Sequence, residues 1–116
     1  MTMTDKISRV ELKAKLDRGD AVTLVEALPE AYWRDQHLPG ALSLPHDQVD
    51  ALAAGLLPDK AAEIVVYCSN TACQNSTIAA RRLAQLGYTR VRDYVEGKQD
   101  WIEAGLPVET AAEAVR

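Results

Sequence analysis

Apolar positions along the chain fall into short unbroken runs separated by stretches of helical spacing, and this alternation sets the expected elements. Residues 21–26 (A-V-T-L-V-E) are rich in β-branched side chains and mostly apolar, as a buried parallel strand would be. Residues 41–44 (A-L-S-L) and 64–67 (I-V-V-Y) repeat the pattern, the second most clearly, and residues 91–95 predict a last strand. Between these runs lie helix signals. Ser8-Arg9-Val10-Glu11 has capping-box form: Ser8 accepts from the amide of Glu11, and Glu11 is expected to reach back to the Ser8 amide. Ile7 and Leu12 stand at hydrophobic-staple positions, Leu16 shares the face of Leu12, and Gly19 is the expected terminator. Residues 29–33 predict a short helical turn, and Pro39-Gly40 a tight turn. Asp47 is expected to cap a helix running through Val49, Leu52 and Ala53. Ser76 or Thr77 is expected to open a helix striped by Ile78, Leu83 and Leu86 and ended by Gly87. Residues 98–104 predict a final helix stopped by Gly105-Leu106-Pro107, and the Ala/Glu-rich tail from Thr110 reads as a helical extension or a frayed end. Short apolar strands alternating with helices predict an α/β layer fold around a mostly parallel sheet.

Composition narrows the class. A chain of 116 residues is one domain by length, with its core expected at about 7–108 and a tail over 109–116. An apolar share of 47% and a charged share of 26% disfavour disordered, collagen-like and membrane-spanning classes. The net charge of −4, with no Lys/Arg cluster interleaved with aromatics, argues against nucleic acid or an anionic membrane surface as partner. The opening M-T-M-T-D-K-I-S lacks the apolar stretch of a secretory signal, so a cytoplasmic location is expected. In that compartment cysteines stay reduced and serve chemistry, metal binding or burial.

The chain has two cysteines, and both stand between the strand-like run 64–67 and the helix expected from Ser76 or Thr77. Ligands in parallel α/β sheets bind beyond the carboxyl ends of strands, which is where Cys68 falls. The residues after it, Ser69, Asn70, Thr71, Ala72, Cys73, Gln74, Asn75 and Ser76, are small or polar. Free amides and the dipole at a helix start stabilise an anion, and a thiolate is one, so a cysteine there gains nucleophile character at neutral pH. The competing reading is burial of Cys68 as a small hydrophobe at a strand end. For Cys73, burial under the loop is the default, and the functional alternative is a resolving thiol that closes a disulfide with Cys68. Zinc is disfavoured, because C-x4-C leaves only His37 and His46 as further ligands and neither falls at a zinc-motif spacing.

At this point the chain resembles the rhodanese-like family from about Ile7 to Val108. The segments that carry the likeness are T-L-V-E (23–26), Q-H-L-P-G-A-L-S-L-P (36–45), V-V-Y-C (65–68), S-T-I-A-A-R-R-L-A-Q-L-G-Y (76–88), G-K-Q-D-W (97–101) and A-G-L-P-V (104–108), in that order. The resemblance implies a three-layer α/β fold, a sheet flanked by helices, with Cys68 as the catalytic cysteine that carries sulfane sulfur as a persulfide. The implied donor is small, such as thiosulfate or polysulfide, and the acceptor is a thiol or a protein. No metal or organic cofactor is implied. Backbone amides of residues 69–76 would hold first the thiolate and then the terminal sulfur anion. The other class kept open is a non-catalytic or redox-sensing module of this fold, which regulates a protein partner through the Cys68/Cys73 pair.

The departures from the family pattern are specific. The family's strand Asp falls on Glu26, and the Arg two places later falls on Leu28, so an ion pair near the site is altered. The cysteine loop is longer than the six-position sulfurtransferase loop and similar in size to those of rhodanese-fold phosphatases and arsenate reductases. Those enzymes grip a tetrahedral oxyanion with an Arg, and this loop has neither Arg nor Lys, which argues against phosphatase chemistry. The same lack weakens thiosulfate as a donor, since a charge-assisted contact is worth roughly 1.5–3 kcal/mol. His37 to Ala41 and Ile78 to Ala80 are read as packing and turn elements, His46 as a surface turn residue, and Arg34 as solvated. Arg81 and Arg82 fall past the first helical turn, and Trp33 and Trp101 are expected at the core or its edge.

Overall fold

Burial at every position of one strand decides the architecture. The computed structural model describes residues 5–111, and in it Glu63–Tyr67 is buried throughout. The strands are β1 (Asp5–Lys6), β2 (Val22–Glu26), β3 (Leu42–Ser43), β4 (Glu63–Tyr67) and β5 (Val91–Tyr94). They form a parallel sheet in the order β1-β5-β4-β2-β3. With β4 central and covered on both sides, a near-continuous apolar run is the sequence such a strand requires. Its register pairs Glu26 with Tyr67 and Tyr67 with Tyr94, so the carboxyl ends of three strands lie level.

Side chains alternate across the sheet as the period of two demands. Val25, Ile64, Val66 and Val91 pack with α3 (Val49–Leu56) and α4 (Asn75–Gln85) on one face. Leu24, Val65, Tyr67 and Tyr94 pack on the other face with Leu12 of α1 (Arg9–Asp17) and Trp101 of α5 (Gly97–Glu103). A short α2 (Glu30–Asp35) follows β2, and a 3-10 turn over His46–Gln48 leads into α3. This is the rhodanese-like three-layer α/β arrangement that the sequence predicts.

Several local expectations are corrected. Ser8 caps α1 by accepting from the Glu11 amide (3.1 Å), but the Glu11 carboxylate turns to Arg92 (2.7 Å), a stronger charged partner than the Ser8 amide. Asp47 lies inside the 3-10 turn, and Gln48 stands at the start of α3 without a side-chain cap. Helix α4 opens at Asn75 after Gln74, a residue ahead of the predicted Ser76. Its buried stripe is Ser76, Ala79, Ala80 and Leu83, the spacing of one helix face, which leaves Ile78 on the far side and 46% exposed. The two alanines let the helix approach the sheet closely. The two-residue edge strand β1 carries no apolar pattern and went unpredicted. Residues 112–116 of the expected tail lie outside the described residues, whereas Glu109 pairs with His37 through an antiparallel bridge.

Leu83 is fully buried between α4 and the sheet. Leu83→Ala is therefore expected to cost about 2–5 kcal/mol, read as a lowered denaturant midpoint with an unchanged slope.

Candidate active site

Cys68 follows directly on the last residue of central β4 and is fully buried. Its backbone is fixed by a helix on the opposite face from α4: the Lys98 amide donates to the Cys68 carbonyl (2.8 Å) and the Gln99 amide to the Ser69 carbonyl (2.8 Å). Two otherwise unpaired amides at the start of α5 thus clamp the cysteine's own chain. The approach requires Gly97. Its φ is +74°, and a Cβ at that position would stand 2.6 Å from the Cys68 carbonyl oxygen and 2.9 Å from the Ser69 carbonyl carbon.

The loop continues the clamp only as far as Asn70, whose Nδ2 donates to the Gln99 side chain (3.0 Å). From there it turns back on itself. The Ala72 amide donates to Asn70 Oδ1 (3.0 Å) and the Cys73 amide to the Asn70 carbonyl (3.1 Å), an Asx turn that returns the chain to its starting point. Cys73 is thereby joined to Cys68 as a disulfide, with Cα atoms 6.4 Å apart. Both sequence-predicted cysteines are thus brought together, Cys68 beneath and Cys73 half-exposed above it. Beyond Cys73, α4 begins without a side-chain cap and without an acidic residue in its first turn. The amides of Asn75, Ser76 and Thr77 have no partner inside the helix and form an electropositive helix start next to the cysteine pair. Thr77 donates its hydroxyl to buried Asp93 (2.8 Å), whose second oxygen has no partner among the described residues.

Under the loop lies a polar network that the sequence reading missed. Lys98 Nζ donates to both Glu26 oxygens (3.2 Å each) and to the carbonyl oxygens of Tyr32 (3.1 Å) and Gln36 (2.5 Å). The Tyr67 hydroxyl donates to Glu26 Oε1 (2.8 Å) and accepts from the Leu38 amide (3.0 Å). Glu26 is fully buried, and that burial pushes its carboxyl upward from the usual carboxylate range against the opposing pull of the Lys98 charge and the Tyr67 hydroxyl. Tyr67 is held protonated by burial and by the adjacent Glu26. The charge partner absent at Leu28 is therefore supplied by Lys98, from the other end of the chain. A buried lysine at the second position of a helix leaves no periodic signal, so spacing alone could not find it.

The remaining sequence candidates are placed as follows. His37 stacks on Trp33 (4.5 Å between centroids) and donates to the Trp33 carbonyl (2.7 Å), a packing role. His46 is half-buried rather than a surface turn residue. Its amide bonds the Ala27 carbonyl while the Ala27 amide bonds the Tyr67 carbonyl, which brings it to the carboxyl edge of the sheet with a buried Nδ1 that has no partner among the described residues. Arg34 is exposed and paired with Glu30, and Arg82 pairs with Asp50 of α3, so neither meets the loop. Trp101 is buried and donates to the Pro107 carbonyl. Beside the loop, Ser69, Lys98, Gln99, Ile102 and Glu103 line a cavity of about 290 Å³. The loop has no cation of its own, and Lys98 is consumed by Glu26.

Two substitutions probe this geometry. Gly97→Ala is expected to cost more than about 1 kcal/mol and, in the reduced protein, to raise the reactivity of the two cysteines towards alkylating reagents, because the clamp must open. Lys98→Met alone is expected to cost about 3–5 kcal/mol by stranding the Glu26 charge, whereas Lys98→Met with Glu26→Leu recovers most of that loss, read by chemical denaturation.

The likeness to known proteins agrees with this arrangement. The chain is 33% identical over 108 residues to the HTH-type transcriptional regulator Rv0324 of Mycobacterium tuberculosis, covering 93% of this chain and 46% of that protein. It is 35% identical over 66 residues to the thiosulfate sulfurtransferase PspE of Escherichia coli, covering 57% of this chain and 61% of that one. The chain thus spans about half the length of the curated relatives it matches. The crystal structure of the BH2092 protein from Bacillus halodurans superimposes with a TM-score of 0.85 at 26% identity, over 93% of this chain and 78% of that one. The rhodanese-like domain family matches residues 8–104, nearly the whole of the described fold, and the chain belongs to that family.

Proposed function

We propose that the protein is a sulfurtransferase or persulfide carrier in which Cys68 is the sulfur-bearing nucleophile. The observation that carries this reading is the position of Cys68: it ends the central strand, its backbone is clamped by α5, and it is paired with a cysteine that leads into the uncapped start of α4. In the reduced protein the Cys68 thiolate attacks the outer sulfur of a donor. With thiosulfate, the donor S–S bond breaks, sulfite leaves with the bonding pair, and Cys68 keeps the sulfur as a persulfide. Amides of Ser69 to Ser76 that lack internal partners stabilise first the thiolate and then the persulfide anion. A thiol or a protein nucleophile removes the sulfur. The step calls for no metal or organic cofactor, and a reducing compartment such as the cytoplasm keeps the cysteines available.

Donor preference follows from charge. With Lys98 neutralised by Glu26 and no Arg in the loop, a dianion such as thiosulfate gains no charge-assisted contact there. Polysulfide is the better donor in this reading. The relative named as a thiosulfate sulfurtransferase supports the reaction class. The Cys68–Cys73 disulfide favours one second reading, a redox-sensing module that acts on a protein partner. A relative named as a transcriptional regulator, about half of which this chain covers, accords with it.

Intact-protein mass spectrometry on the reduced chain separates the two. With polysulfide, Cys73→Ser is expected to gain one cyanide-labile sulfur and Cys68→Ser none, with thiosulfate loading at least tenfold slower. The absence of any sulfur gain at Cys68 with either donor would falsify the sulfurtransferase reading and leave the redox one.

A further inference from the structure

The cysteine pair gives the loop a second chemical step, one that rests on Cys68 being the sulfur acceptor. We propose that Cys73 discharges a Cys68 persulfide as hydrogen sulfide, so that the protein reduces sulfane sulfur with external thiols as the electron source.

Three observations converge. The Asx turn at Asn70 brings Cys73 onto Cys68, so in the reduced protein the Cys73 thiolate stands ready to meet the inner sulfur of a persulfide held there. The two halves of the loop are held differently. Cys68, Ser69 and Asn70 are tied to α5 by three hydrogen bonds, whereas the Thr71–Cys73 segment hydrogen-bonds only within the loop among the described residues. Cys73 can therefore withdraw to admit a donor and return without disturbing the clamped cysteine. Third, the leaving sulfide departs from the neighbourhood of the α4 amides, the part of the site best able to carry negative charge.

The chemistry balances. The Cys73 thiolate attacks the Cys68 Sγ of a Cys68–S–SH persulfide, the new S–S bond joins the two cysteines, and the old S–S bond breaks with its electron pair leaving on HS⁻. The sulfane sulfur is reduced by two electrons and the two cysteine sulfurs are oxidised by two. Two equivalents of a thiol then restore the dithiol by exchange and leave as their own disulfide. Burial fixes the direction of that exchange. Cys68 is fully buried and Cys73 half-exposed, so the incoming thiolate meets Cys73 and expels the Cys68 thiolate into the cradle, ready for the next donor. Asn70 is a positioning residue here, acting through the turn that returns Cys73 and through its bond to Gln99 of α5.

The test is a single turnover of the reduced full chain, free of oxygen and added thiol, with one equivalent of sodium benzenethiosulfonate, whose leaving group is a sulfinate and cannot itself yield sulfide. The expected result for wild type is one equivalent of free sulfide and a protein mass lower by two hydrogens, with Cys68–Cys73 as the product. Cys73→Ser and, as a second variant, Cys73→Ala are expected to hold one cyanide-labile sulfur and release none. Asn70→Ala, which loses both the Oδ1 bond to the Ala72 amide and the Nδ2 bond to the Gln99 side chain, is expected to lower the rate of sulfide release relative to the rate of loading about tenfold. Wild type that keeps its sulfur as the Cys73 variants do overturns the proposal while leaving Cys68 as a sulfur carrier. Failure of every protein, variants included, to take up sulfur or release sulfide overturns the sulfur-accepting role itself, and this step with it.

Discussion

The geometry of the site depends on a pair of opposite charges buried under it. Lys98 and Glu26 are taken out of water together, and such a pair holds only when its remaining hydrogen-bonding capacity is met. Here the carbonyls of Tyr32 and Gln36 and the hydroxyl of Tyr67 meet it. The pair therefore has one arrangement that satisfies every member, and that arrangement fixes α5 against β2, β4 and the end of α2. Because Lys98 is the second residue of α5, the contact that satisfies its ammonium also aims its backbone amide at Cys68. A single side chain thus joins the stability of the layer to the position of the reactive residue.

The strands and the order of the layers were legible in the sequence because burial leaves a period: the run at 64–67 reads as a doubly covered strand, and β4 is one. Turns were legible where chain conformation restricts the residue type, as at Gly19 and Gly87, both at positive φ. The place of Cys68 could be read too, as a residue just past the end of a central strand. What could not be read is what depends on partners distant in sequence. Lys98 meets Glu26 across 72 positions, Arg92 takes Glu11 away from the capping box across 81, and β1 exists only because β5 offers it an edge. The exposed Ile78 is a further case, since a helix whose buried stripe is Ser, Ala and Ala ahead of Leu83 looks, by hydrophobicity alone, as though its isoleucine should face inward.

The loop divides by function as well as by contact. Its first residues are held by α5, which takes their carbonyls where Gly97 allows the backbones to meet. Its later residues have no such anchor among the described residues and return through the turn at Asn70 and the bond to Cys68. In the proposed chemistry the rigid part sets the direction of attack on the donor, and the looser part decides whether the active sulfur is covered or open.

Cys68 lies where two helices begin. The start of α5 receives its carbonyl oxygen from one face of the sheet, and the uncapped start of α4 lies beyond the loop on the other. Backbone and sulfur are thus governed by separate helices. The chain between Thr71 and Gln74 can accordingly change in length or composition and alter the surroundings of the sulfur, while the peptide that carries it keeps its place. The scaffold is in this sense a socket with a fixed pin and an exchangeable collar, in which new reactivity is reached by rebuilding the collar alone.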